Sequence, residues 1–142
     1  MARLHPACPV QRARVAALGA VVALGAITAQ AATCPLSPSD PTFMAEGPVQ
    51  AIWTTEPATP VIGDPFVMRI ALCPATAQLV KVDAEMPDHR HGMNYKPSFT
   101  PLGDGRWRVE GMVWHMAGRW AVKVETRLNG TPHTLTRSVI LK

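Results

Sequence analysis

The sequence predicts an all-β fold, an antiparallel sandwich of six or seven short strands behind a cleavable leader. Three observations carry that prediction. Turn signals recur every eight to twelve residues from Glu56 onward. The segments between them alternate apolar and polar side chains, as half-buried strands do. Outside the leader no stretch has the 3.6-residue period of a helix, and short strands at this spacing are the mark of a sandwich.

The leader occupies residues 1–31. Arg3, Arg12 and Arg14 give it a basic start, an apolar run extends from Val15 to Ile27, and Ala29-Gln30-Ala31 supplies the small-x-small pattern of a signal-peptidase site. The alternative is an uncleaved membrane anchor. The run is shorter than the roughly 20 residues a bilayer span needs, and it ends in a cleavage pattern rather than basic stop-transfer residues. Cleavage is expected after Ala31, with a periplasmic or secreted product. Cys34 follows Ala32-Thr33, which lacks the Leu and small-residue pattern that precedes a lipidated cysteine.

Residues 32–48 are rich in Pro, Ser and Asp and read as an irregular arm; residues 49–142 read as the sandwich. The strands are expected at 49–55, 66–72, 79–86, 96–100, 106–116, a segment around Trp120, Val122 and Val124, and 133–141. In the second, Phe66, Met68, Ile70 and Leu72 alternate with Val67, Arg69 and Ala71. In the third, Val80, Val82 and Ala84 are assigned to the core face opposite Lys81, Asp83 and Glu85. Gly103-Asp104-Gly105 turns the chain, a bulge or a doubly covered end is expected past Gly111 because both faces become apolar there, and Asn129-Gly130 is a favoured hairpin pair.

Composition narrows the function. The chain carries 14 Lys and Arg against 10 Asp and Glu, and three of the cations are the leader arginines, so the remainder is nearly neutral. It has no basic tract and no case for nucleic-acid binding. Cys34 and Cys73 remain after the leader removes Cys8. In an oxidising compartment they are expected to pair, closing a loop of about 40 residues worth roughly 3–4 kcal/mol. The rival, a metal-binding thiolate pair, lacks CxxC or CxxxC spacing. No nucleophile elbow, free Cys–His arrangement or phosphate loop indicates an enzyme.

The informative segment is Met86-Pro87-Asp88-His89-Arg90-His91-Gly92-Met93-Asn94-Tyr95. Read as extended chain, His89, His91 and Met93 point to one side. Imidazole suits copper, zinc and nickel, whereas thioether sulfur favours Cu(I), so the mixed set points to copper. His115 and Met116 are a second source of the same donors if the chain turns there, and Met86 is a further candidate ligand. Asp88 is the candidate for orienting an imidazole through its second nitrogen. His133 on the last strand is read as structural.

The stretch from Met86 to Trp120, with its Met-Pro loop bearing His and Met, its Gly-Asp-Gly turn, its aromatic-led strand and its Met-x-Gly-x-Trp element, resembles the YtkA-like group of exported bacterial domains, related to FixH-type proteins. The resemblance covers about 35 residues closely and some 90 in outline. It implies an immunoglobulin-like sandwich of about seven strands. It also implies copper handling, with His89, His91, Met93 and Met116 on the family's His/Met pattern. FixH-type proteins keep a membrane anchor, which this leader is not expected to be. Two functions follow as expectations. One is a periplasmic copper-binding protein that buffers the ion or exchanges it with a donor or acceptor in the envelope. The other is a metal-free module that docks to an envelope or respiratory-complex partner through Tyr95, Trp114 and the methionines.

Overall fold

A computed structural model describes residues 34–142; the leader and its cleavage point lie outside the described residues. Nine strands form: β1 (Met44–Glu46), β2 (Val49–Glu56), β3 (Pro65–Cys73), β4 (Gln78–Met86), β5 (His91–Gly92), β6 (Ser98–Gly103), β7 (Arg106–Val113), β8 (Gly118–Leu128) and β9 (Thr131–Leu141). They make two antiparallel sheets, ordered β1-β2-β3-β7-β6 and β5-β4-β8-β9. With the two short strands β1 and β5 set aside, the seven that remain have the ABED/CFG order of an immunoglobulin constant-type sandwich.

The inner faces follow from alternation. Val49, Ala51 and Trp53 of β2, Phe66, Met68, Ile70 and Leu72 of β3, and Trp120, Val122 and Val124 of β8 meet in one core. That period-two burial is what the residue pattern dictates, and non-directional removal of apolar surface from water is what holds the two layers together. The expected bulge at Gly111 is present: Phe66 pairs with Met112 but Val67 with Glu110, leaving Gly111 as the extra residue at φ 84°. Asn129 and Gly130 both have positive φ, the backbone of a type I′ turn, and join β8 to β9 without a register break.

Three expectations change. Val80 is not core; it is 44% exposed, because β4 carries a register shift between Leu79 and Lys81. One extra residue flips the alternation, so Leu79 takes the inward place. The arm is not irregular to its end, since Met44–Glu46 pairs with β2 and buries Met44. The expected strand 106–116 stops at Val113, and residues 114–117 form a bend instead.

Cys34 and Cys73 are bonded, tying the start of the arm to the last residue of β3 across a separation of 39 residues. Arg137 donates to the Pro41 carbonyl at 3.0 Å, and His133 packs 3.6 Å from where a side chain on Gly47 would stand, so both fasten the arm and β1 to β9. His133 is half-buried on β9 beside Gly47. Replacing both cysteines by Ser should lower unfolding free energy by roughly 3–4 kcal/mol in the loop-entropy account. Urea denaturation with and without reductant measures it, and equal midpoints for the two proteins would contradict that value.

Candidate metal centre

β4 and β5 form a hairpin whose register sets the site. Met86 pairs with His91 and Glu85 with Gly92, while Met93 N–H donates to the Ala84 carbonyl at 2.9 Å. Directly opposed residues of an antiparallel pair share a face. His91 and Met86 therefore share the inner face at the end of the sandwich, and Met93 and Ala84 share it one row deeper. Residues 87–90 make the loop, closed by His89 N–H donating to the Met86 carbonyl at 3.1 Å and by Arg90 at φ 55°. The segment is thus a turn and not the extended chain expected of it.

The turn still brings the two histidines together, with ring centres 5.8 Å apart and planes 26° from parallel. His115 arrives from the bend between β7 and β8 and lies 5.0 Å from His91, planes 33° apart. Beneath them is Trp120, buried in β8, with its ring centre 4.8 Å from His115 and 6.3 Å from His91. All three imidazoles are exposed; His91 and His115 rest against the buried indole, and His89 stacks on His91. Trp120 Nε1 donates to the Met116 carbonyl at 3.0 Å, which fixes the bend that presents His115.

The methionines divide. Met86 is 0% exposed and Met93 9%, and both belong to the core cluster. Met93 also lines a cleft of about 520 Å³ with Lys81, Asp83, Asn94, Tyr95 and Phe99, away from the histidine row. Met86 stands opposite His91 in register and lines a cleft of about 400 Å³ with Arg90, His91 and Gly92. Met116 is 37% exposed in the bend beside His115.

An imidazole nitrogen bonds a metal such as zinc at about 2 Å, which puts two ring centres on one ion roughly 5–6 Å apart. The separations of 5.0 and 5.8 Å match that spacing. Ring orientation does not: nitrogen lone pairs lie in the ring plane, and rings stacked near parallel aim past one another. Among the described residues no three His, Cys, Asp or Glu groups already surround one point.

Asp88 is held by an arginine rather than by a histidine among the described residues. Both its oxygens accept from Arg119, Oδ1 from Nη2 at 2.6 Å and Oδ2 from Nε at 3.1 Å, a bidentate clamp between the β4–β5 loop and β8. Nothing local in the sequence announces this contact across 31 residues. The hydrogen bonds from Arg119, followed by its charge and that of His89, hold the Asp88 carboxyl below the ordinary value of 3.8 despite some desolvation. Comparison of the chain with family models, curated proteins and solved structures finds no match.

Two outcomes follow from this geometry. A carboxyl with a depressed pKa favours the folded contact above its ordinary range and releases it as pH falls through the depressed value. The protection of the loop amides, His89 above all, relative to their intrinsic exchange rate at the same pH should therefore fall when pH drops well below 3.8. Asp88→Asn should show the lower protection already at neutral pH; equal protection in both proteins at pH 7 would contradict the clamp. Gly118, at φ 127°, has the Met86 methyl 2.7 Å from where a Cβ would stand. Gly118→Ala should cost about 1–3 kcal/mol, read from thermal unfolding, because an L residue is strained at that φ.

Proposed function

We propose that the protein binds copper in the bacterial envelope and buffers it or passes it on. His89, His91 and His115 are the imidazole ligands, Met116 is the accessible thioether, and Met86, the register partner of His91, is a second sulfur. The observation that supports this reading most is the convergence of imidazoles from two segments over 20 residues apart. Two of them, His91 and His115, share one buried indole as their floor.

The donor chemistry suits the ion. A mixed imidazole and thioether set binds Cu(I) well and holds Cu(II) through the nitrogens, whereas zinc gains little from sulfur of this kind. The ligands' exposure suits exchange, because a partner's donor atoms can reach an ion held on an open face. The resemblance of residues 86–120 to the YtkA-like group points the same way, as does a leader built for export.

One observation favours the metal-free docking module instead: Met86 and Met93 are turned into the core, and the rings stand parallel rather than aimed at one point. A titration separates the two readings. The exported protein should take up one Cu(I) in competition with a chromophoric chelator. His91→Ala should weaken binding at least about tenfold, a loss of ~1.4 kcal/mol, with His133→Ala unchanged. Tighter binding of Zn(II) than of Cu(I) would move the assignment to zinc. Failure to bind either metal, or indifference to loss of His89, His91 and His115 together, would leave the docking module.

A further inference from the structure

Seven methionines occur in the chain, and all but Met1 lie among the described residues. They divide sharply by exposure. Met44, Met68, Met86, Met93 and Met112 belong to the core cluster, and none is more than 9% exposed. Methionine in such places fills irregular gaps with an unbranched, adaptable side chain. Met116 fills none: it is 37% exposed, in the bend between β7 and β8.

Reactivity follows exposure. Thiols and thioethers are the side chains that peroxides oxidise most readily, and access decides which of them reacts. Cys34 and Cys73 are joined in a disulfide, so no free thiol competes among the described residues. The five core thioethers are shielded between the sheets. Met116 alone of the described methionines meets a dissolved oxidant without any opening of the fold.

We propose that Met116 is a modification site, oxidised to the sulfoxide by hydrogen peroxide, and that this oxidation loosens the hold of the histidine-bearing end on Cu(I). The sulfur lone pair attacks one peroxide oxygen, and an S–O bond forms as the O–O bond breaks. Sulfur gives up two electrons, and the second oxygen leaves as water with both protons. The modification stands on exposure alone; its effect on the metal rests on the copper reading above. A thioether is a soft donor that suits Cu(I), whereas a sulfoxide offers a hard oxygen. The imidazoles of His89, His91 and His115 are unchanged, so the nitrogen donors that suit Cu(II) remain. The bend is anchored through the Met116 carbonyl, which accepts from Trp120 Nε1 at 3.0 Å, and not through the sulfur. Oxidation therefore alters the donor set and leaves the floor beneath His91 and His115 in place. A core methionine could not serve this way, because a polar sulfoxide there disrupts packing.

The exported, metal-free protein treated with graded hydrogen peroxide should first gain a single oxygen atom, mapped to Met116, at unchanged thermal stability. Met116→Leu should take up its first oxygen at least about tenfold more slowly. In competition with a chromophoric chelator, oxidation should weaken Cu(I) binding at least about tenfold and change Cu(II) binding by less than about threefold. Methionine sulfoxide reductase should restore the Cu(I) affinity, and peroxide should leave that of Met116→Leu where the substitution put it. A first oxygen spread over several methionines, or equal oxidation of Met116→Leu and the unsubstituted protein, overturns the modification site whatever the protein binds. Oxidation confined to Met116 with Cu(I) affinity unchanged overturns its effect on the metal. A protein that takes up no Cu(I) before peroxide overturns the copper reading instead, and selective oxidation of Met116 survives that result.

Discussion

The indole of Trp120 joins the core to the proposed metal centre. On the core side its ring packs tilted against Trp114, centres 5.3 Å apart, and Trp114 in turn against Phe66 at 5.2 Å. A buried indole N–H has to find an acceptor, and here the acceptor is the carbonyl of Met116 in the bend between β7 and β8. The bend is thus closed by the core rather than by its own residues, and His115 is presented as a consequence. His91 reaches the same indole from the opposite hairpin because its partner in register, Met86, occupies the inner face of β4. Without that indole the two histidine-bearing loops would have no shared floor.

Much of the fold was legible because burial in a sandwich is written with period two. Seven of the nine strands coincide with alternating segments, and the Gly111 bulge and the Asn129-Gly130 turn were visible as local chemistry. What escaped is what alternation cannot encode. The register shift beside Val80 is decided by pairing with β8, and the short β1 and β5 exist only because a neighbouring strand offers them an edge. Both were hidden in segments whose Pro and Gly content reads as loop.

The histidines were legible as a cluster, their arrangement was not. Extended geometry would have placed His89, His91 and Met93 in a line; the four-residue turn at 87–90 instead folds His89 back over His91 and sends Met93 into the core. The bend that lets His115 join was anticipated only as a possibility raised by Gly118. Arg119 on Asp88 had no local signature, since a clamp between two loops is a property of their tertiary packing. The arrangement that results is soft: exposed rings at metal-ligand spacing, on a rigid floor, with lone pairs that converge only after rotation.

X-ray absorption on the protein loaded with one equivalent of Cu(I) tests the central idea most directly. The account predicts outer-shell scattering from at least two imidazoles together with a sulfur neighbour, and loss of one imidazole when His115 is replaced by Ala. A first shell without imidazole, or a spectrum indifferent to His115, would contradict it.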